Sequence, residues 1–152
     1  MPLAINGNLD IDNSNVFHNP SDATEVNTHN GIYIFNMDVR VTGARSWGET
    51  EVPLVILGVD GGDLKMDAES SRTLAEGVIV KRLGDAIRYS GTNLHGHDQS
   101  NVWFTSYYDD TKGGDTDGNG STITPSHDDW RGVYNSSSVE FENWSNILYS
   151  KN

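Results

Sequence analysis

Hydrophobic and polar residues alternate most regularly between Ile32 and Val41. This period of two predicts a strand with one buried and one solvated face. The apolar set of that strand is Tyr33, Phe35, Met37, Val39 and Val41. Residues 1–30 hold seven asparagines and show no sustained period, which predicts an extended polar N-terminal arm. We therefore expect a single β-sandwich domain over residues 31–152, preceded by the arm.

Two later segments have the pattern of β-hairpins. An apolar run from residue 52 to 59 is followed by Asp60-Gly61-Gly62-Asp63 and then by alternating Leu64 and Met66. Residues 77–91 repeat the arrangement around Gly84-Asp85. Glycines at these positions supply the positive φ of a hairpin turn. Between the hairpins, residues 66–77 predict a short helix, with Asp67 as its N-cap and Gly77 as its stop.

Two further strand segments complete the pattern, in residues 101–110 and 137–150. About eight short strands separated by turn residues predict an all-β fold, an antiparallel β-sandwich or jelly roll with the extended N-terminal arm. No internal repeat is visible, and no linker separates a second domain.

Composition and charge exclude several classes of function. The 152 residues include 22 acidic and 10 basic side chains, for a net charge of −12, which repels nucleic acids and anionic membranes. No apolar run approaches the roughly 20 residues of a membrane helix. The first residues lack the basic and apolar regions of a signal peptide, so we expect a soluble protein without one. With no cysteine in the chain, disulfides and thiolate metal sites are excluded.

The acidic stretch from residue 113 to 130 has the spacing of a calcium-binding loop. The candidate ligands are Asp115, Asp117, Asn119, Ser121 and Asp128. The first four occupy positions 1, 3, 5 and 7 of such a loop, and Gly120 stands where the backbone turns sharply. Ser126 replaces the bidentate acid of position 12, so we expect an affinity no better than about 10⁻⁴ M. The alternative interpretation is an acidic, solvated turn without a metal.

A histidine pair offers a second, weaker candidate for a metal site. His95 and His97 point the same way in an extended chain, and Asp98 or His127 could complete a site for a transition metal. The pair resembles the H-x-H element of cupins, but Ser100 and Asn101 stand where that family places an acid. The alternative is that these are ordinary histidines of surface loops.

The sequence matches no catalytic template, because it lacks a G-x-S-x-G elbow, a nucleotide fingerprint and a cysteine nucleophile. We therefore predict a protein that is not an enzyme. Trp47, Trp130 and Tyr134 lie beside glycines in predicted loops, where exposed rings could stack on sugars. The alternative is that these aromatic side chains close the ends of a sandwich core.

The opening residues 6–15, "NGNLDIDNSN", resemble those of fibre and decoration proteins of tailed bacteriophages. The resemblance is one of composition. It implies a non-enzymatic virion protein, a capsid decoration or cement protein or a fibre-associated subunit, that forms homo-oligomers or binds other capsid or tail proteins. The arm would then bind its neighbour by strand addition, through Leu9, Ile11, Val16 and Phe17. The alternative function is a carbohydrate-binding, lectin-like module, either calcium-dependent or not.

Overall fold

A computed structural model describes residues 3–35, 40–57, 62–66, 68–120 and 122–152. Within these ranges the regular structure consists of 13 short strands and contains no helix. In chain order the strands are β1 (Leu3–Ile5), β2 (Ile32–Ile34), β3 (Arg40–Val41), β4 (Ala44–Trp47), β5 (Leu54–Leu57), β6 (Leu64–Met66), β7 (Ser71–Leu74), β8 (Ile79–Leu83), β9 (Ile87–Tyr89), β10 (Leu94–His95), β11 (Trp103–Ser106), β12 (Val133–Asn135) and β13 (Glu140–Phe141).

The strands coil into a β-solenoid of about four turns. The first sheet has the order β1-β2-β5-β8-β11, the second β10-β7-β4, and the third β13-β12-β9-β6-β3. Each turn passes from the first sheet to the third, then to the second, and returns one level further along. Among the described strands every pairing is parallel except that of β12 with β13.

The core is a set of inward-facing columns along the solenoid axis. In the first sheet Ile32, Leu54, Val80 and Phe104 are in register on successive turns, and all four are buried. The spacing between these residues gives the length of each turn: 22 residues from Ile32 to Leu54, 26 from Leu54 to Val80 and 24 from Val80 to Phe104. Each such side chain contributes about 1.5–3 kcal/mol by its burial.

Two fully buried arginines bind main-chain carbonyls between neighbouring turns. Arg82 donates to the carbonyl oxygens of Ile56 and Gly62, at 2.9 and 2.7 Å. Arg72 donates to the carbonyl oxygen of Gly7 at 2.7 Å. Burial lowers the pKa of each guanidinium to about 10, which keeps both charged at neutral pH. These hydrogen bonds give partners to buried backbone carbonyl oxygens at or near the ends of the short strands.

The two ends of the solenoid differ. At the C-terminal end Ile147 bridges to Phe104 of β11, and Trp144 packs against the core. At the N-terminal end β1 is the edge strand of the first sheet. Residues 3–11 of the predicted arm lie in this end of the solenoid, because β1 pairs with β2 and the buried Ile11 bridges to Trp47.

The prediction of an all-β fold is confirmed, but the antiparallel β-sandwich or jelly roll is wrong. Neither predicted hairpin forms. Asp60 and Gly61 of the first predicted turn lie outside the described residues, and the second predicted turn is a corner of the solenoid. Strands β5 and β6 lie in different sheets, as do β8 and β9. Gly84 has a φ of 84°, the conformation that a hairpin turn also requires, so a corner and a hairpin use the same residue types.

The predicted helix is also wrong for the residues that the structure describes. Residues 68–77 contain β7, in which Arg72 and Leu74 face inwards; Asp67 lies outside the described residues. The first predicted strand, from Ile32 to Val41, is divided between β2 and β3, which lie in different sheets. Val41 is buried as predicted, but the faces of β2 are reversed. Ile32 and Ile34 are buried and Phe35 is half-exposed, whereas Met37 and Val39 lie outside the described residues. No described helix could span a membrane.

Candidate functional site

The second of two insertions covers the outer face of the first sheet, and the end of the first insertion meets it. The first insertion, residues 12–31, precedes β2, and the second insertion, residues 107–129, follows β11. They meet at Asn30, whose backbone N–H donates to the carbonyl oxygen of Asp115 at 2.9 Å. The Tyr33 hydroxyl then donates to the carbonyl oxygen of Thr116 at 2.6 Å. The acidic stretch is therefore fixed against both the sheet and the first insertion.

The acidic loop folds around the carboxylate of Asp115. Its Oδ1 accepts the N–H of Gly118 at 2.7 Å, and its Oδ2 accepts the N–H of Gly120 at 2.9 Å. Burial raises the pKa of Asp115, but these hydrogen bonds outweigh the effect and the pKa is lower than usual. Asp115 therefore stays ionised in a tightly turned loop.

Three carboxylates converge in this loop. Asp110, Asp115 and Asp117 each place one oxygen within 4.8 Å of the others. The structure thus brings together two of the predicted calcium ligands, and adds Asp110. Oxygen ligands of this type suit calcium. Calcium binding stays a prediction.

The other predicted ligands lie elsewhere or are engaged. The side-chain oxygen of Asn119 accepts the N–H of Thr122 at 2.6 Å, and its amide nitrogen donates to Asp117. Asp128 is exposed and is not in the carboxylate group. Ser121 lies outside the described residues.

Lys81 lies beneath the acidic loop and was not predicted as a site residue. Its side chain is fully buried, and its ammonium donates to the carbonyl oxygen of Gly114 at 2.7 Å and to the hydroxyl of Thr116. Burial lowers its pKa to about 8, against the opposing effect of nearby aspartates, of which Asp110 has the largest. Lys81 is therefore a cation that ties the second insertion to the sheet.

The pKa of Lys81 predicts a pH dependence of stability. Between about pH 8 and its ordinary pKa of 10.5, the unfolded chain binds a proton that the folded chain has lost. The free energy of unfolding should therefore rise with pH in this window, by up to about 1.4 kcal/mol per unit from this group. Urea unfolding from about pH 7.5 to 9.5, below the ionisation of unfolded tyrosines, would measure the slope.

Substitution isolates this contribution. Lys81→Met should flatten the slope, whereas Lys65→Met, at an exposed lysine, should leave it unchanged. An unchanged slope in Lys81→Met would show that Lys81 does not carry this linkage.

The predicted histidine site is not assembled. His97 stacks on Trp144 with ring centroids 4.0 Å apart, His127 contacts Tyr149, and His95 is exposed on β10. Among the described residues no histidine belongs to a group that could hold a metal ion.

The three predicted sugar-binding aromatics are in different environments. Trp47 and Trp130 are 2% and 1% exposed, so neither ring is available to a ligand. Tyr134 lies on the outer face of β12. The guanidinium carbon of Arg88 lies over its ring, 4.4 Å from the ring centroid. Tyr134 is thus the one of the three near the surface.

The four residues predicted to bind a partner through the arm differ in their exposure. Leu9 and Val16 are exposed, Ile11 is buried, and Phe17 is partly buried against the core. Ile11 therefore contributes to the solenoid itself, and the exposed pair remains available to a partner.

Comparison with known proteins yields no relative. No family model matches the chain, and neither the curated proteins nor the solved structures contain a match.

Proposed function

We propose that this protein is a non-enzymatic structural subunit that binds neighbouring subunits through the N-terminal end of its solenoid. The observation that carries the proposal is the uncovered edge of β1. Among the described residues β1 pairs on one side only, with β2. A free edge presents backbone donors and acceptors to any second strand.

An exposed apolar side chain, Phe35, adjoins this edge. Six large hydrophobic side chains are exposed in the described chain, and four of them lie between residues 9 and 35: Leu9, Val16, Val26 and Phe35. Phe35 directly adjoins β1, since its N–H donates to the carbonyl oxygen of Ile5 at 3.0 Å. Apolar surface beside a free edge favours burial against another protein.

The C-terminal end provides the contrast. There Trp144 packs against the core. The backbone N–H of Phe104 donates to the carbonyl oxygen of Asn146, and its carbonyl oxygen accepts the N–H of Leu148. Solenoids generally need such terminal caps, because each turn buries its surface only against its neighbours. A neighbouring subunit would supply the cap at the N-terminal end.

The setting that we propose is a virion, in which many copies decorate a capsid or extend a fibre. This setting rests on the resemblance of the opening residues to phage structural proteins. The carbohydrate-binding alternative has lost support, because Trp47 and Trp130 are buried.

An edge-specific substitution tests the proposed contact. In a parallel sheet the N–H and the C=O of one residue point to the same neighbouring strand, and those of the next residue point to the opposite side. Ile5 faces β2, so the N–H and C=O of Ala4 point to the free edge. Ala4→Pro should remove the outward donor without breaking the ladder, and should reduce self-association or particle binding about tenfold or more, as expected from losing about 1.4 kcal/mol or more.

Mass photometry and sedimentation across a range of protein concentrations would measure this effect. Ala4→Ser keeps the N–H and should behave as the wild type. Equal oligomer populations for Ala4→Pro and wild type, with both folded by thermal melting, would refute the contact through β1.

A further inference from the structure

The outer face of the third sheet carries a basic strip in an otherwise acidic protein. We define it as Lys65, Arg88 and Arg131 with the rings of Tyr134 and Phe141. Register aligns Lys65 with Arg88, Arg88 with Tyr134, and Tyr134 with Phe141. The guanidinium of Arg131 lies 5.8 Å from the Phe141 ring. The strip therefore runs along the solenoid axis, with Lys65, Arg88 and Tyr134 on successive turns and Phe141 beyond them on β13.

The strip is preorganised around Arg88. Its Nε bonds the carboxylate of Asp63, and its guanidinium lies over Tyr134. Tyr134 in turn meets Phe141 edge to face, with centroids 5.0 Å apart. Among the described residues no hydrogen bond uses the two terminal nitrogens of Arg88. A fixed guanidinium loses little freedom when it binds a carboxylate.

The opposite charge lies on another face of the same molecule. The two insertions contain nine acidic residues and a single lysine, Lys112. Three of the ten basic residues of the chain, Arg72, Lys81 and Arg82, are fully buried. The acidic insertions and the basic strip thus carry opposite charge, although the ion pair with Asp63 offsets part of the charge of Arg88.

We propose that the basic strip binds the acidic insertions of a second copy of this chain, side by side. The contact joins different faces of the two copies, so it is heterologous and generates a ring or an open array. It deepens the proposed function by adding a lateral contact to the one at the N-terminal end. Arginine and aromatic side chains are enriched at the positions of protein interfaces that contribute most to the binding energy.

Three charge variants separate this contact from simple charge repulsion. Lys65→Glu on the strip and Lys112→Glu on the acidic face both change the net charge from −12 to −14. Asp128→Lys, at an exposed position of the second insertion, changes it to −10. Sedimentation velocity would measure the dissociation constant of each at about 0.1 M salt, where the Debye length is about 10 Å.

The proposal predicts that Lys65→Glu and Asp128→Lys each weaken self-association about fivefold or more, although they change the net charge in opposite directions. Lys112→Glu should not weaken it. Raising the salt to about 1 M should weaken the wild-type contact. Effects that follow net charge alone, with both glutamate variants weaker and Asp128→Lys tighter, would overturn the proposal.

Two further outcomes distinguish this contact from the one through β1. Salt-sensitive association should persist in Ala4→Pro, and its loss there would show that no separate lateral contact exists. A chain that stays monomeric but is retained on a polyuronate column through Lys65 would assign the strip to an acidic glycan instead and overturn the proposal.

Discussion

Trp130→Ala should lower the free energy of unfolding by about 3–5 kcal/mol, the usual cost of truncating a buried tryptophan. The indole is 1% exposed. Its Nε1 donates to the carbonyl oxygen of Leu148 at 2.9 Å, and its backbone bridges to Gly84 and Ser150. The substitution would thus remove packing where the C-terminal segment meets the third turn. Urea denaturation monitored by circular dichroism would measure the loss.

Tyr134→Ala is the matched control, because the sequence predicted both aromatics as candidate sugar-binding residues. Tyr134 is only half-buried and contacts Arg88 and Phe141 at the surface. Its truncation should cost about 1–2 kcal/mol. If Trp130→Ala kept full stability and abolished binding to a glycan, the ring would be an exposed ligand platform, contrary to this structure.

Gly96→Ala should destabilise the protein by about 3 kcal/mol or more. Gly96 has a φ of 73°, and a Cβ there would lie 2.2 Å from the carbonyl oxygen of Leu74 on the preceding turn. The positive φ costs an alanine about 1–2 kcal/mol, and forcing apart two packed turns adds about 1–3 kcal/mol. Chemical denaturation gives the change directly.

Gly84→Ala separates these two causes. Gly84 also has a positive φ, of 84°, but nothing lies within 4 Å of a Cβ built there. This variant should lose only the conformational term. Equal losses for Gly84→Ala and Gly96→Ala would mean that the turn containing Gly96 does not lie against Leu74, and the stacking of these turns would need revision.

The sequence indicated strands but not the way they pair. The alternation from Ile32 to Val41 spans two strands, β2 and β3, which lie in different sheets, and most of the apolar runs became β5, β8 and β11. Direction of pairing is not encoded in a period of two, because a strand shows the same alternation in parallel and antiparallel sheets. The turns also have unequal lengths, 22 to 26 residues in the first sheet. The residue type at one core position also changes from turn to turn, as from Val80 to Phe104. For both reasons the sequence shows no visible repeat.

The acidic loop was partly predictable for a different reason. Asp115 and Asp117 lie close together because they are two residues apart, and local spacing is readable from sequence. Asp110 and Lys81 reach the same place through tertiary structure: Lys81 lies on β8, 33 residues before Gly114 of the loop that covers it. A buried lysine inside a strand pattern carries no local signal of its partner.

Hydrogen exchange at the Ala4 amide tests most directly whether subunits join through the free edge of β1. The measurement compares dilute monomer with the assembled protein, using the Ile5 amide as an internal reference because Ile5 faces β2. We expect rapid exchange at Ala4 in the monomer and strong protection in the assembly, with Ile5 protected in both. Equally rapid exchange at Ala4 in monomer and assembly would contradict this expectation.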